Sequence, residues 1–155
     1  MQTLAILNTR DIKKIRQLFE EMYGAFFTSE YAYLQSKDGR LSLISKDIAA
    51  IDLQKLRVDK LGLYIAEVKG NSVRLSKEGV QLLAQESDGK LKNTVDLDSE
   101  EMKKYFNGED LEKDLGTENR FVLLRYKGDI FSCAKYKDKV ILNYLPKIHR
   151  GEVIL

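Results

Sequence analysis

In 155 residues the chain has one cysteine, Cys133, one histidine, His149, and one proline, Pro146. A lone thiol excludes an internal disulfide and any multi-thiolate zinc or iron–sulfur site, so no metal and no other cofactor is expected. A nucleophile–base dyad could draw only on Cys133 and His149. Cys133 lies inside an apolar, strand-like run, where cysteine behaves as a small hydrophobe. There is no Gly-x-Gly-x-x-Gly and no Gly-Lys-Ser/Thr phosphate loop. The acids Asp96, Asp98, Glu100 and Glu101 are explained by a helix start, through capping and the helix dipole, without an acid–base pair. The expectation is a protein that is not an enzyme. No window approaches the ~18 to 20 apolar residues that cross a bilayer, and Met1 to Leu7 lacks the length and charged start of a secretory segment. A soluble, cytoplasmic protein with no membrane partner is expected.

The composition, 43% hydrophobic and 32% charged, is that of a folded chain with room for one ordinary domain or two small ones. The net charge of +2 conceals an uneven distribution. Residues 1–84 hold 13 Lys/Arg against 10 Asp/Glu, residues 85–119 hold 5 against 11, and residues 120–150 hold 8 against 2. A basic C-terminal segment follows an acidic one. Solvated surface strands would account for such a run, and so would an electrostatic footprint for phosphates.

Periodicity supplies the elements. Ile12, Ile15, Leu18, Phe19 and Met22 recur at helical spacing from Asp11 to Tyr23, with Thr9 as candidate N-cap and Gly24 as the stop. Tyr31 and Tyr33, then Leu41 and Leu43, alternate around Ser36-Lys37-Asp38-Gly39 and predict a hairpin. Ser45 to Leu56 predicts one or two short helices. Leu61 to Val68 and Ser72 to Leu75 predict strands around the Gly70-Asn71 turn, and Ser76 opens a short helix. Thr94 to Leu97 predicts a strand, and Asp98 with Glu101 a capping box for a helix ending near Asn107-Gly108. The acidic stretch to Glu118 is expected to be surface. Phe121–Tyr126, Ile130–Tyr136 and Val140–Leu145 predict a three-stranded meander, whose natural product is a small, partly closed barrel.

Gly62-Leu63-Tyr64-Ile65-Ala66, Val73-Arg74-Leu75-Ser76-Lys77-Glu78-Gly79, Phe121 to Leu124 with Gly128-Asp129-Ile130-Phe131, and Val140 to Lys147 together resemble the strand–helix–meander order of a PUA domain. That module binds RNA in pseudouridine synthases and archaeosine transglycosylases. The resemblance covers residues 58–155. Residues 1–57 resemble the pre-PUA unit that precedes the module in several ribosome-biogenesis proteins, and Asn143-Tyr144-Leu145-Pro146-Lys147 is similar to the PUA modules accompanying Fmu/Sun-type RNA cytosine methyltransferases. The implied fold is α+β, with a small α+β N-terminal unit (1–57) followed by a PUA-like β pseudo-barrel (58–155). The implied function is binding of structured RNA, rRNA or tRNA, in RNA modification or ribosome biogenesis, alongside a ribosome-biogenesis or RNA-modifying protein. The Pro-Cys dipeptide of the cytosine methyltransferases is absent, which implies a targeting module without its own catalytic domain.

Arg74, Ser76, Lys77 and Gly79 sit at the expected strand-to-helix turn, where the amides of a helix start attract anions, and the resemblance places this turn at the RNA groove. Ser76 as a cap and Gly79 as a close-packing residue would also suit a purely structural turn. Lys135, Lys137, Lys139, Lys147, His149 and Arg150 form the second candidate group, of which Lys147, His149 and Arg150, past Pro146, read as a phosphate-binding rim and Lys135 as a further RNA contact. Lysines on edge strands also suppress aggregation. Arg74 and Lys77 are expected to share a face with at least two of Lys135, Lys147 and Arg150. Tyr64, Tyr126, Tyr136 and Tyr144 read as strand packing rather than base-stacking groups. The alternative from another class is a protein–protein adaptor that docks a basic partner on acidic segment 85–119.

Overall fold

A computed structural model of the protein describes residues 4–46, 62–88 and 90–143. The chain divides into two compact units, Met1–Lys92 and Asn93–Leu155. This division differs from the 57/58 boundary expected from sequence, and strand pairing is the reason. The strands on either side of Gly70-Asn71, read above as the start of the second part, are hydrogen-bonded to the hairpin of the first. Leu41 pairs with Ala66, and Ala66 with Leu75.

In the first unit β1 (Leu4–Ile6), β2 (Tyr31–Ser36), β3 (Arg40–Ser45), β4 (Leu63–Lys69) and β5 (Ser72–Leu75) form one antiparallel sheet in chain order. The β2–β3 hairpin turns where Ser36-Lys37-Asp38-Gly39 predicts it, and β1 is an addition that its three residues were too short to announce. Helix α1 (Thr9–Tyr23) starts one residue early. Asn8, not Thr9, is the cap, its side-chain oxygen accepting from the Asp11 amide at 2.9 Å, and Gly24 ends the helix in the left-handed conformation at φ 79°. The apolar stripe Ile15, Phe19 and Tyr23 is buried. Phe19 meets Phe26 edge-on at 5.0 Å, and Phe26 stacks on Tyr33 at 5.5 Å. The Tyr23 hydroxyl donates to the Val73 carbonyl, which ties α1 to β5. Helix α2 (Lys77–Glu86) buries Gly79, Val80 and Leu83. The helices predicted over Ser45 to Leu56 fall almost wholly outside the described residues.

The second unit contains β6 (Thr94–Asp96), helix α3 (Ser99–Phe106), β7 (Leu111–Glu112), β8 (Arg120–Tyr126), β9 (Asp129–Lys137) and β10 (Val140–Leu142). Its sheet, ordered β6-β8-β9-β10-β7, curls into a half-barrel. Strand β6 runs parallel to β8 because the connection between them is long enough to carry α3, as a parallel pair requires. Helix α3 begins with the expected capping box: the Asp98 carboxylate accepts from the Glu101 amide, and Glu101 accepts from the Asp98 amide. The two hairpins turn on two residues each, Lys127-Gly128 at φ 47° and 86° and Asp138-Lys139 at φ 52° and 65°. A left-handed pair matches the twist of the flanking strands. The short β7, inside the acidic stretch expected to be surface, closes the far edge by pairing Leu111 with Ile141. A register shift at Leu124/Arg125 leaves Phe131 as the extra residue of β9, and its ring lies against Tyr105 and Phe106. Val95, Leu97, Met102, Tyr105, Leu111, Val122, Leu124, Ala134, Tyr136 and Ile141 make the core. Helix and sheet in both units make the protein α+β.

Candidate nucleic-acid interface

The strand-to-helix turn of the first unit is built from its own backbone. The Ser76 amide donates to the Ile65 carbonyl at 2.8 Å, and the Ser76 hydroxyl donates to the Tyr64 carbonyl at 2.7 Å while accepting from the Gly79 amide at 3.0 Å. Gly79 is buried against β4, and a Cβ there would stand 2.1 Å from the Ile65 carbonyl oxygen. Both residues thus carry the structural role foreseen for them. Lys77 is exposed on the first turn of α2.

Arg74 belongs to a different arrangement. Register sets Arg40 of β3 and Arg74 of β5 on either side of Glu67 of β4. The Glu67 carboxylate, 21% exposed, lies 3.5 Å from the Arg74 guanidinium and 3.0 Å from the Lys69 ammonium. The Arg40 guanidinium sits 5.7 Å above the Tyr64 ring and 3.7 Å from the Asp38 carboxylate. Lys69 and Arg74 therefore crowd one half-buried carboxylate, and Arg40, paired with Asp38, lies on the neighbouring strand over an aromatic ring. Partial neutralisation leaves the patch positive, and arginine beside a half-buried aromatic is a chemistry suited to phosphate and base. The sequence did not single out Arg40 or Lys69, and it read Tyr64 as strand packing. Their signal is the hairpin register, which becomes legible only once β3 and β4 are known to pair.

In the second unit several cations have local partners. Arg125 holds Asp96 at 2.6 and 3.0 Å, and Lys113 holds Glu101 at 3.0 Å. Hydrogen bonds from Arg125 keep the Asp96 carboxyl below its ordinary range. Arg120 donates to the Leu115 and Glu118 carbonyls and lies over the Tyr136 ring, whose hydroxyl donates to the Gly116 carbonyl; together they brace the 113–119 loop. Lys135, by contrast, faces Phe121 across the β8–β9 pair, its ammonium 4.8 Å from the ring centre. Lys127 lies 5.3 Å over Tyr126. Such pairs keep the cation on the surface at a defined place while its stem packs. Lys137 is exposed at the end of β9.

Arg74, Ser76, Lys77 and Gly79 thus fall together in the first unit and Lys135 in the second. Lys147, His149 and Arg150 lie outside the described residues. Among the described residues no three His, Cys, Asp or Glu side chains are grouped to hold a metal ion, and no helix is long and apolar enough to cross a membrane.

Comparison with protein families matches residues 92–150 to the model described as the methyltransferase RsmF PUA domain. No curated protein matches the chain. The matched segment begins one residue before the second unit. The match takes in β6, α3, β8, β9 and β10. The match over residues 92–150 relates the second unit to the PUA modules of the Fmu/Sun-type methyltransferases, modules of a kind that binds RNA.

Proposed function

We propose that this protein binds structured RNA, ribosomal or transfer, in the cytoplasm, and acts in RNA modification or ribosome biogenesis without performing the chemistry itself. The match of residues 92–150 to an RNA-binding module carries this reading. The ring-seated Lys135 and Lys127 give that unit fixed cations, and the Arg40–Glu67–Arg74 row gives the first unit a positive patch of its own. A catalytic partner, an RNA-modifying or ribosome-biogenesis protein, would supply the reaction.

The adaptor reading loses ground because six of the eleven acids of segment 85–119 have local work. Glu86 clamps a loop, Asp98 and Glu101 cap α3, Asp96 pairs with Arg125, Asp110 accepts from the Asn143 amide, and Asp114 accepts from the Gly116 amide. A salt titration with structured RNA is the test. Log affinity should fall linearly with log salt, by about 0.9 per duplex phosphate contact. Weak, non-saturable binding at every salt concentration would remove the RNA reading.

A further inference from the structure

The charges of α1 run against the helix that carries them. Arg10, Lys13 and Lys14 occupy its first two turns and Glu20 and Glu21 its last, where no basic residue lies. A helix N-terminus carries about half a positive charge and its C-terminus about half a negative one, so this polarity opposes the dipole at both ends. Arg10 is three and four residues from Lys13 and Lys14, the spacings at which like charges on a helix repel. All three are exposed, and among the described residues none has a carboxylate within 4.0 Å. Asp11 in the same turn is half-buried. Next to them Arg16 is held over the Phe26 ring at 5.4 Å. Lys13 and Arg16 also line a shallow open depression with Thr9, Ile12, Gln17 and Glu20. Burial of Ile15, Phe19 and Tyr23 holds the helix in place despite the unfavourable charges.

We propose that the exposed face of α1, through Arg10, Lys13 and Lys14, is a second phosphate-contacting surface for RNA, in the unit that precedes the PUA domain. The inference rests on the RNA-binding reading above. Charge complementarity selects an anion, and a repeating anion suits three cations spread over two turns. A lipid surface fits less well, because a helix that lies on a membrane inserts its apolar face and that of α1 is already buried in the unit. Two basic surfaces on one chain would let a single folded RNA be held at separated places, with affinity rising through linkage.

The full-length chain is titrated with bulk transfer RNA over a range of salt concentrations, alongside Arg10→Gln/Lys13→Gln/Lys14→Gln and a control of equal charge change, Lys46→Gln/Lys90→Gln/Lys92→Gln. The α1 variant should lose tenfold or more in affinity and flatten the salt slope by about two to three, since each duplex phosphate contact contributes about 0.9. The control should change little. Because the removed charges oppose the dipole, the α1 variant should melt no lower than the parent. If it fails to fold, acetylation footprinting of the unaltered protein replaces it, and RNA should protect Lys13 and Lys14 but not Lys90. Saturable binding by the parent with an unchanged α1 variant, equal losses in both variants, or absent protection overturns this surface alone. No saturable RNA binding by the parent overturns the RNA reading and this surface with it. Retained binding of the parent to anionic vesicles or an acidic protein, lost in the α1 variant, would then reassign the face.

Discussion

Arg125 faces Asp96 across the parallel pair of β6 and β8 and grips it with two nitrogens, Nε on one carboxylate oxygen at 2.6 Å and an Nη on the other at 3.0 Å. The carboxylate ties up a cation that the basic C-terminal segment would otherwise offer to phosphate. Asp96→Asn should therefore strengthen RNA binding and steepen the salt slope by up to about one unit. The pair is exposed, so the melting temperature should move little. An unchanged slope with unchanged affinity would show that Arg125 stands outside the interface.

Glu86 at the end of α2 fastens the segment after α1. One carboxylate oxygen accepts from the Thr28 and Ser29 amides at 2.7 and 3.0 Å, and the other accepts from the Tyr31 hydroxyl at 2.8 Å. Partial burial pushes its carboxyl upward, but the hydrogen bonds outweigh burial and leave it below the ordinary value. A depressed folded value means that the stabilisation is complete above the unfolded carboxyl's range and is lost as pH falls through the folded one. Glu86→Gln should thus be less stable than the parent near neutrality, by about 1 kcal/mol for charge-assisted bonds at a partly exposed site. The difference should shrink below about pH 4, read from denaturant midpoints at each pH. A gap that stays constant down to pH 2 would rule out the clamp as an ionised group.

Gly79 separates structural from binding roles at the turn. With a Cβ 2.1 Å from a backbone oxygen of β4, Gly79→Ala must push α2 off the strand. The expected cost is about 1–3 kcal/mol, the usual range for overpacking. RNA affinity, compared at equal folded fraction, should be unaltered. A tenfold loss of affinity without loss of stability would return the turn to the interface.

How far the sequence reveals this protein depends on the range of each interaction. Caps and short turns are local, so Gly24, the Ser36–Gly39 turn, Ser76 and the Asp98/Glu101 box were all legible from neighbours within a few positions. The Asn8 cap was missed by one residue because Asn8 and Thr9 are both competent acceptors, and only the helix's own dihedrals choose between them. The domain boundary was not legible, because it depends on β4 pairing with β3 across residues 46–62 rather than with the later meander. β7 is two residues long and carries no period. The cation row around Glu67 and the polarity of α1 were both printed in the sequence. The first needs the register of three strands, while the second needed only the helix dipole, applied to residues already assigned to a helix.

The Arg40–Glu67–Arg74 row yields the sharpest contrast, because its members should shift RNA affinity in opposite directions. Arg40→Ser/Arg74→Ser removes two cations and leaves Glu67 with Lys69 alone. If the row meets phosphate, affinity should fall tenfold or more, about 1.4 kcal/mol, and the salt slope should flatten by up to about two units. Glu67→Gln removes the carboxylate that engages Arg74 and Lys69, so the same reading requires tighter binding and a steeper slope. A purely structural ladder gives another pattern. Partly exposed ion pairs contribute about 0–1 kcal/mol, so both variants would lose a little stability and neither would change RNA affinity. Lys90→Ser/Lys92→Ser serves as the control for net charge. Loss in the arginine variant with gain in Glu67→Gln identifies the row as an RNA contact, whereas movement of both in the same direction excludes it.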